Sequence, residues 1–513
     1  MLCICHQLFG PTKTVYREEC LVTNRNQSRQ QPRLGLQGPV VSMLDPWARE
    51  ASDEVMRTGT GSVCPSQDPM MEPKQFLNML KELGAEFYVH HTFPGKDADP
   101  AMLKDIAEAG IEIVLGNEYG NINGPWVEGT NRYDIPDEEI IRAAQSGRCI
   151  GLLYDEPEHL QINASQYRKD GFYPHFGSTD GLSLDEARNR VEQAVANRVN
   201  HVRKLLQQAG LNPDAVPLLS EHVFPTMFHT FARAGMIPVP KTMKESFQSL
   251  QLSTSLGAAK QYGREFWICA DLWGPDAGHW FMRFQGFPGH SPEEFASALR
   301  MSYFMAPTRL FVENIDVLIQ NTANGYRKTA YGEVWEEFVR KFVPEHPLTW
   351  SHRDADPDIV VIHSDDSNYG QNERLFGNRT LTDVQASQSI FHIWHHLSHG
   401  AIPAHGSCMH IPGFDFPRHV VKANVPISQF PLVDGYNFDP AKWVHPLFYP
   451  VNNVLVYDHY VEEAQIGSPK LILVGGSSLT DKTLAAVRKK AEEGAVVIIG
   501  SWLVAGKGDL AAS

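Results

Sequence analysis

Residues able to do chemistry recur in one setting along this chain: a carboxylate at the abrupt end of a short apolar run. The run Ile111 to Leu115 leads to Asn117-Glu118-Tyr119, and Cys149 to Leu153 leads to Tyr154-Asp155-Glu156. Further on, Leu218-Leu219 leads to Ser220-Glu221-His222, Trp267-Ile-Cys-Ala to Asp271-Leu-Trp273, and Leu310-Phe-Val to Glu313-Asn314. A carboxylate at the mouth of an apolar element loses hydration, which is costly unless it is partnered, so several in register point to a function. Two carboxyl groups facing one bond are what glycoside hydrolysis requires. One protonates the leaving oxygen, and the other attacks the anomeric carbon or activates a water. Aromatic rings nearby (Tyr119, Trp126, Tyr154, Trp267, Trp273 and Trp280) offer flat apolar platforms to the C–H faces of a sugar. Asn117, Asn314, His222 and His279 offer hydrogen bonds to hydroxyls, and Glu118, Asp155, Glu156 and Asp271 are further candidates for binding the substrate or tuning the pair.

The elements that must position these residues alternate. Helical patterns over Gln75–Leu83, Ala101–Ala109, Asp137–Ala144 and Leu184–Ala209 separate short β-rich runs. In the last of them Val191, Val195, Val199, Val202 and Leu206 recur at helical spacing. Seven strand candidates follow one another in this way: Glu86–His91, Ile111–Leu115, Cys149–Tyr154, Val216–Leu219, Met236–Val239, Phe266–Ala270 and Arg309–Val312. That rhythm predicts an α/β protein with a (β/α)8 TIM barrel over residues 71–350, whose chemistry would gather at the C-terminal strand ends. A doubly wound sheet fits less well, because no strand–GxGxxG–helix unit occurs there. Residues 1–70 are polar, with no sustained periodicity, and read as a poorly structured leader. After a Pro-rich break, strand and helix patterns resume and predict a smaller flavodoxin-like three-layer domain over 356–513, ending soon after a last strand.

Composition narrows the function. The 45 Lys and Arg against 60 Asp and Glu give a net charge of −15. Such a surface repels phosphate backbones, and no basic run overrides it, so nucleic acid is not an expected partner. No apolar run approaches the ~20 residues that span a bilayer, so no membrane partner is expected either. Seven scattered cysteines make no disulfide framework. Met1 to Gly10 is a poor secretory segment, which favours the cytoplasm.

With its strand-end carboxylates, the barrel resembles the large clan of retaining glycoside hydrolases that includes the β-galactosidases. The resemblance implies that Glu221, after the fourth strand candidate, is the acid/base and Glu313, after the seventh, the nucleophile. The segment Lys470-Leu-Ile-Leu-Val-Gly-Gly-Ser-Ser-Leu-Thr, a helix, and Gly494-Ala-Val-Val-Ile-Ile-Gly resemble the glutamine-amidotransferase-like trimerisation domain that follows such barrels. That likeness points to a homo-oligomer. The clan places Asn directly before its acid/base, whereas Ser220 precedes Glu221 here. The Asn-Glu pair of this chain is Asn117-Glu118, so Glu118 and Glu156 stay open as the acid.

The expected function is therefore hydrolysis of an oligo- or polysaccharide, with a carbohydrate substrate, no cofactor and no metal. Two other readings compete. His392, His395, His396 and His399 can share one helix face, with His405 and His410 following, which would suit a metal-dependent barrel hydrolase. The barrel could also serve as the scaffold of a non-catalytic carbohydrate-binding or assembly protein.

Overall fold

The computed structural model describes residues 31–38, 46–47, 71–92, 100–117, 135–158, 181–243, 248–272, 292–322, 325–364, 374–375, 379–380, 384–397 and 453–506. Eight parallel strands close into a barrel. They are β1 (Arg33–Gln37), β2 (Phe87–Thr92), β3 (Glu112–Asn117), β4 (Cys149–Asp155), β5 (Leu218–His222), β6 (Ile237–Thr242), β7 (Trp267–Ala270) and β8 (Arg309–Val312). β1 closes the ring by pairing with β2 on one side and β8 on the other. A helix follows each strand: Pro73–Glu82, Pro100–Ala109, Asp137–Gln145, Leu184–Gln208, Phe228–Ala234, Gln248–Gln261, Pro292–Phe304 and the short Ile315–Leu318. This is the (β/α)8 barrel that the alternating rhythm predicts. Among the described residues, no helix is long and apolar enough to cross a membrane.

The first strand corrects the reading of residues 1–70 as a structureless leader. Arg33–Gln37 is a barrel strand, and it is only five residues long. Two leucines alternating with Gly35 and Gln37 are too brief a pattern to stand out, and the partners that make it a strand are Phe87 to Val89 and Arg309 to Val312, far along the chain. Every later strand therefore moves up by one. Glu221 lies on the fifth strand and Glu313 directly follows the eighth, not the fourth and seventh that the β-galactosidase-like pattern requires.

Side chains alternate across each strand, and this alternation builds two cores. Phe87, Val89, Val114, Leu153, Leu219, Ile237, Val239, Trp267, Cys269 and Phe311 fill the barrel interior. Their neighbours Leu34, Leu36, Tyr88, Ile113, Leu115, Leu152, Tyr154, Leu218, Ile268, Leu310 and Val312 face outward onto the helices. Gly35 leaves room inside, since a Cβ there would stand 2.4 Å from the Phe87 ring. The long helix Leu184–Gln208 buries Val191, Val195, Val199, Val202 and Leu206 on this outer layer. Its start is fixed by a capping box in which Ser183 and Glu186 satisfy each other's backbone N–H.

Beyond the barrel come an antiparallel hairpin, β9 (Ile319–Thr322) with β10 (Gly325–Lys328), and a short pair, β12 (Arg374–Leu375) with β13 (Arg379–Thr380). β11 (Ile359–Ile362), β14 (Val454–Tyr457), β15 (Leu471–Val474) and β16 (Val496–Ile499) form a parallel sheet in the order β14-β11-β15-β16. One face of this sheet shares a core with Ile390 and Trp394 of the helix Val384–Leu397 and with Val223, Phe224 and Leu250 of the barrel. Asp458, at the end of β14, is fully buried and accepts hydrogen bonds from Arg233 Nη1 (2.6 Å), Gln261 Nε2 (2.5 Å) and the Tyr262 hydroxyl.

Barrel and sheet approach closely at Gly257, where an added Cβ would lie 1.7 Å from the Val456 carbonyl oxygen. Neither backbone can yield without breaking its own hydrogen bonds. Gly257→Ala is expected to cost about 1–3 kcal/mol, seen as a lower urea midpoint. An unchanged midpoint would show that the helix can slide on β14.

Candidate active site

The strand alternation that fills the barrel with apolar side chains places a polar layer on top of them. On β4, Leu153 points in, Tyr154 out and Asp155 in. On β5, Leu219 and Glu221 share the inner face, and on β6, Ile237, Val239 and Lys241 do. On β7 and β8 the inner residues Cys269 and Phe311 are followed two positions later by Asp271 and Glu313. The same rule carries Gln37 inward at the end of β1. Asp155, Glu221, Lys241, Asp271, Glu313 and Gln37 are all buried.

Lys241 organises the charge. Its Nζ stands 2.9 Å from Asp155 Oδ1, 3.2 Å from Glu156 Oε1 and 3.0 Å from Glu313 Oε2. One oxygen of Glu221, one of Glu313 and the sulfur of Cys269 lie within 4.8 Å of one another. Two negative charges at that distance repel by about 3–4 kcal/mol at an effective dielectric constant of ~20. With four carboxylates acting on one ammonium and Asp271 acting on Glu313 and Glu221, some of these groups keep their protons. Burial pushes Glu221 above the ordinary carboxylate range, against the pull of Lys241. Burial and then the charge of Asp271 push Glu313 well up, again against Lys241. Lys241 itself stays charged: burial alone would neutralise it, but Asp155, Glu313, Glu221 and Glu156 more than compensate. Burial, reinforced by Glu221, keeps the Cys269 thiol protonated.

Glu156 differs from the others. Its backbone is left-handed, with φ 49°, an uncommon and strained state for a residue with a side chain, and it is only part-buried. Its N–H donates to the Glu221 carbonyl at 2.8 Å, which locks the end of β4 to β5.

Several expected site residues stand elsewhere. Tyr154 is on the outer face, where its hydroxyl accepts from Arg198 Nε at 3.2 Å. His222 also points outward: its ring stacks on Phe228 at 4.2 Å, Nδ1 bonds the Thr226 carbonyl at 3.0 Å, and the other nitrogen meets the Ser220 hydroxyl. Burial depresses its pKa to about 3, so it is a neutral packing residue. Trp267 belongs to the barrel interior and is fully buried, so it offers no sugar platform. Asn314, with φ 66°, donates from Nδ2 to the Leu272 carbonyl at 3.1 Å and ties the end of β8 to that of β7. Asn117 ends β3, but its side chain lies outside the described residues, as do Glu118, Tyr119, Trp126, Trp273, His279 and Trp280.

Lys241 and Gln37 are the two members of the layer that sequence reasoning missed. The signal for Lys241 is the alternation Ile237-Pro-Val239-Pro-Lys241, but a lysine past a strand reads by default as solvated. Among the described residues, Glu221, Cys269 and Glu313 are the only group of three metal-capable side chains drawn together. On the helix Val384–Leu397, His392 and His396 are exposed and His395 is half-buried, while His399, His405 and His410 lie outside the described residues.

No protein-family model and no curated protein matches the chain. Among solved structures, an exo-β-1,4-mannosidase from Opitutaceae bacterium strain TAV5 aligns with 91% of this chain and 77% of its own, at 13% identity and a TM-score of 0.44. A glycoside hydrolase family 5 enzyme from Prevotella bryantii B14 aligns over 60% and 96% respectively, at 10% identity and a TM-score of 0.36. The catalytic domain of a β-amylase from Paenibacillus polymyxa aligns over 60% and 97%, at 10% identity and a TM-score of 0.32. At these scores the likenesses carry no argument about activity.

The raised carboxyl of Glu221 has a consequence for stability. Below the unfolded-state value, roughly pH 4.3, both states hold the proton and the group contributes nothing. As pH rises, the unfolded chain releases the proton first, and the fold loses up to about 1.4 kcal/mol per pH unit until the folded group ionises too. Glu221→Gln is therefore expected to melt at the same temperature as the wild type near pH 4 and progressively higher as pH rises, until the folded carboxyl ionises and the gap levels off. Calorimetry across that range checks it, and a gap that is flat or reversed would mean that Glu221 is ionised in the fold.

Proposed function

We propose that this protein is a glycoside hydrolase that cleaves an oligo- or polysaccharide by retaining, two-step displacement, with Glu313 as nucleophile and Glu221 as acid/base. The observation that carries the reading is the approach of two inward-facing carboxyls, on β5 and after β8, to within 4.8 Å. That favours direct attack, for which carboxyls stand about 5–5.5 Å apart, over the roughly 6.5–9.5 Å that leaves room for a water between them.

The roles follow from the charges. Glu313 bonds Lys241, whose ammonium draws this buried carboxyl toward the ionised form that attacks the anomeric carbon, against burial and Asp271, which push its pKa well up. Glu221 has no ion pair with Lys241 within 4.0 Å among the described residues and keeps its proton for the leaving oxygen. As the C–O bond breaks, the glycosyl group passes to Glu313 and the proton to the alcohol. Water then attacks the same carbon, gives its proton to Glu221 and frees Glu313. The assignment rests on this geometry, not on strand number.

A second reading gives the acid role to Glu156. It directly follows the fourth strand, has the strained backbone and is the most exposed of the four carboxylates that act on Lys241.

On aryl glycosides of a sugar that the wild type cleaves, Glu313→Ala is expected to lower kcat by at least about a thousandfold. Azide should restore turnover, giving a glycosyl azide of inverted configuration. For the true acid/base, Glu221→Ala or Glu156→Ala, activated substrates should yield the azide with retained configuration. Near-normal turnover by Glu313→Ala would make that residue structural. Full activity after exhaustive chelation is also expected, and its loss would favour the metal-dependent reading.

A further inference from the structure

Gln37 is a buried amide with no hydrogen-bond partner among the described residues. It ends β1, and its neighbours fix its direction: Leu34 and Leu36 belong to the outer core, while a Cβ on Gly35 would strike the inward Phe87 ring. On the other side, a Cβ on Gly38 would meet the hydroxyl of the outward Tyr88 at 2.4 Å. Gln37 therefore projects into the barrel mouth. It is 0% exposed, and neither Nε2 nor Oε1 has a hydrogen-bond partner among the described residues. Leu36 of β1 is paired with Val312 of β8, so one residue further on Gln37 and Glu313 stand side by side, both facing inward.

An orphaned buried amide is a poor choice for stability, because an apolar side chain of the same length would fit without stranding two donors and an acceptor. Asp155 and Glu313 in this layer bond Lys241, but Gln37 does not. An amide can donate to a hydroxyl oxygen and accept the hydroxyl proton at once, without adding charge to a layer that already holds five carboxylates.

We propose that Gln37 binds one hydroxyl of the sugar ring seated against Glu313 and makes that hydroxyl a condition of productive binding. This inference rests on the glycosidase reading. A site built to bond a hydroxyl rejects the analogue that lacks it far more strongly than an apolar wall rejects an extra group.

The test compares wild type with Gln37→Met on a cleaved aryl glycoside and on its monodeoxy analogues, together with melting temperature and saturation-transfer NMR of the methyl glycosides. Gln37→Met is expected to melt higher than the wild type. Its kcat/KM on the full sugar should fall 10- to 100-fold, while the wild type's penalty for one particular missing hydroxyl disappears. Loss of kcat/KM equally across every analogue, or a value within twofold of wild type on the full sugar, would overturn the proposal, and with Glu313→Ala inactive the glycosidase reading would still stand. If the wild type binds methyl glycosides without turning any over, hydrolysis fails as the activity; Gln37 is then upheld by loss of that binding in Gln37→Met and overturned by its persistence. If the wild type binds no sugar, both readings fall.

Discussion

A buried ammonium among carboxylates is the interaction on which the mouth of this barrel depends. Lys241 gives both Asp155, at 2.9 Å, and Glu313, at 3.0 Å, a counter-charge in an otherwise apolar interior. With it, β4, β6 and the end of β8 are joined through one point, and the remaining charge is relieved by retained protons. A salt bridge so deep contributes little net stability, because both partners give up their hydration. What it does provide is order, by allowing several carboxyls to sit at fixed positions and in unequal protonation states.

The apolar floor beneath is what makes those positions definite. Because side chains alternate strictly, a strand that sends Leu153 or Leu219 into the interior must send Asp155 or Glu221 inward two residues later. Slipping any strand by one residue would turn the acids onto the helices and the outer leucines into the mouth. Packing of the hydrophobic interior and placement of the polar layer are thus one constraint.

Much of this was legible from the chain alone. The strands from β2 to β8 and the helix Leu184–Gln208 announce themselves by local periodicity, and the carboxylates at their ends are visible as breaks in apolar runs. What could not be read is what depends on the closed ring. β1 has too few residues to declare itself, and only pairing with β2 and β8 makes it a strand. Its omission shifted the strand count and hid Gln37. Tyr154 and His222 looked like site residues because they adjoin Asp155 and Glu221 in sequence, but adjacency in a strand means opposite faces. Lys241 was passed over because burial, not residue type, is what gives it a role.

The bonds that converge on Asp458 bear on where this chain can be divided. By sequence, the Pro-rich stretch near residue 350 looks like a border between two independent pieces. Yet Arg233, Gln261 and Tyr262 of the barrel all donate to a carboxylate carried by the second sheet, and Val223, Phe224 and Leu250 are covered by the same sheet. A barrel cut free at that border would take the shared carboxylate from three donors and bare the apolar side chains of Val223, Phe224 and Leu250. The unit that melts cooperatively is therefore larger than the barrel, which relies on the sheet beside it to cover part of its apolar surface.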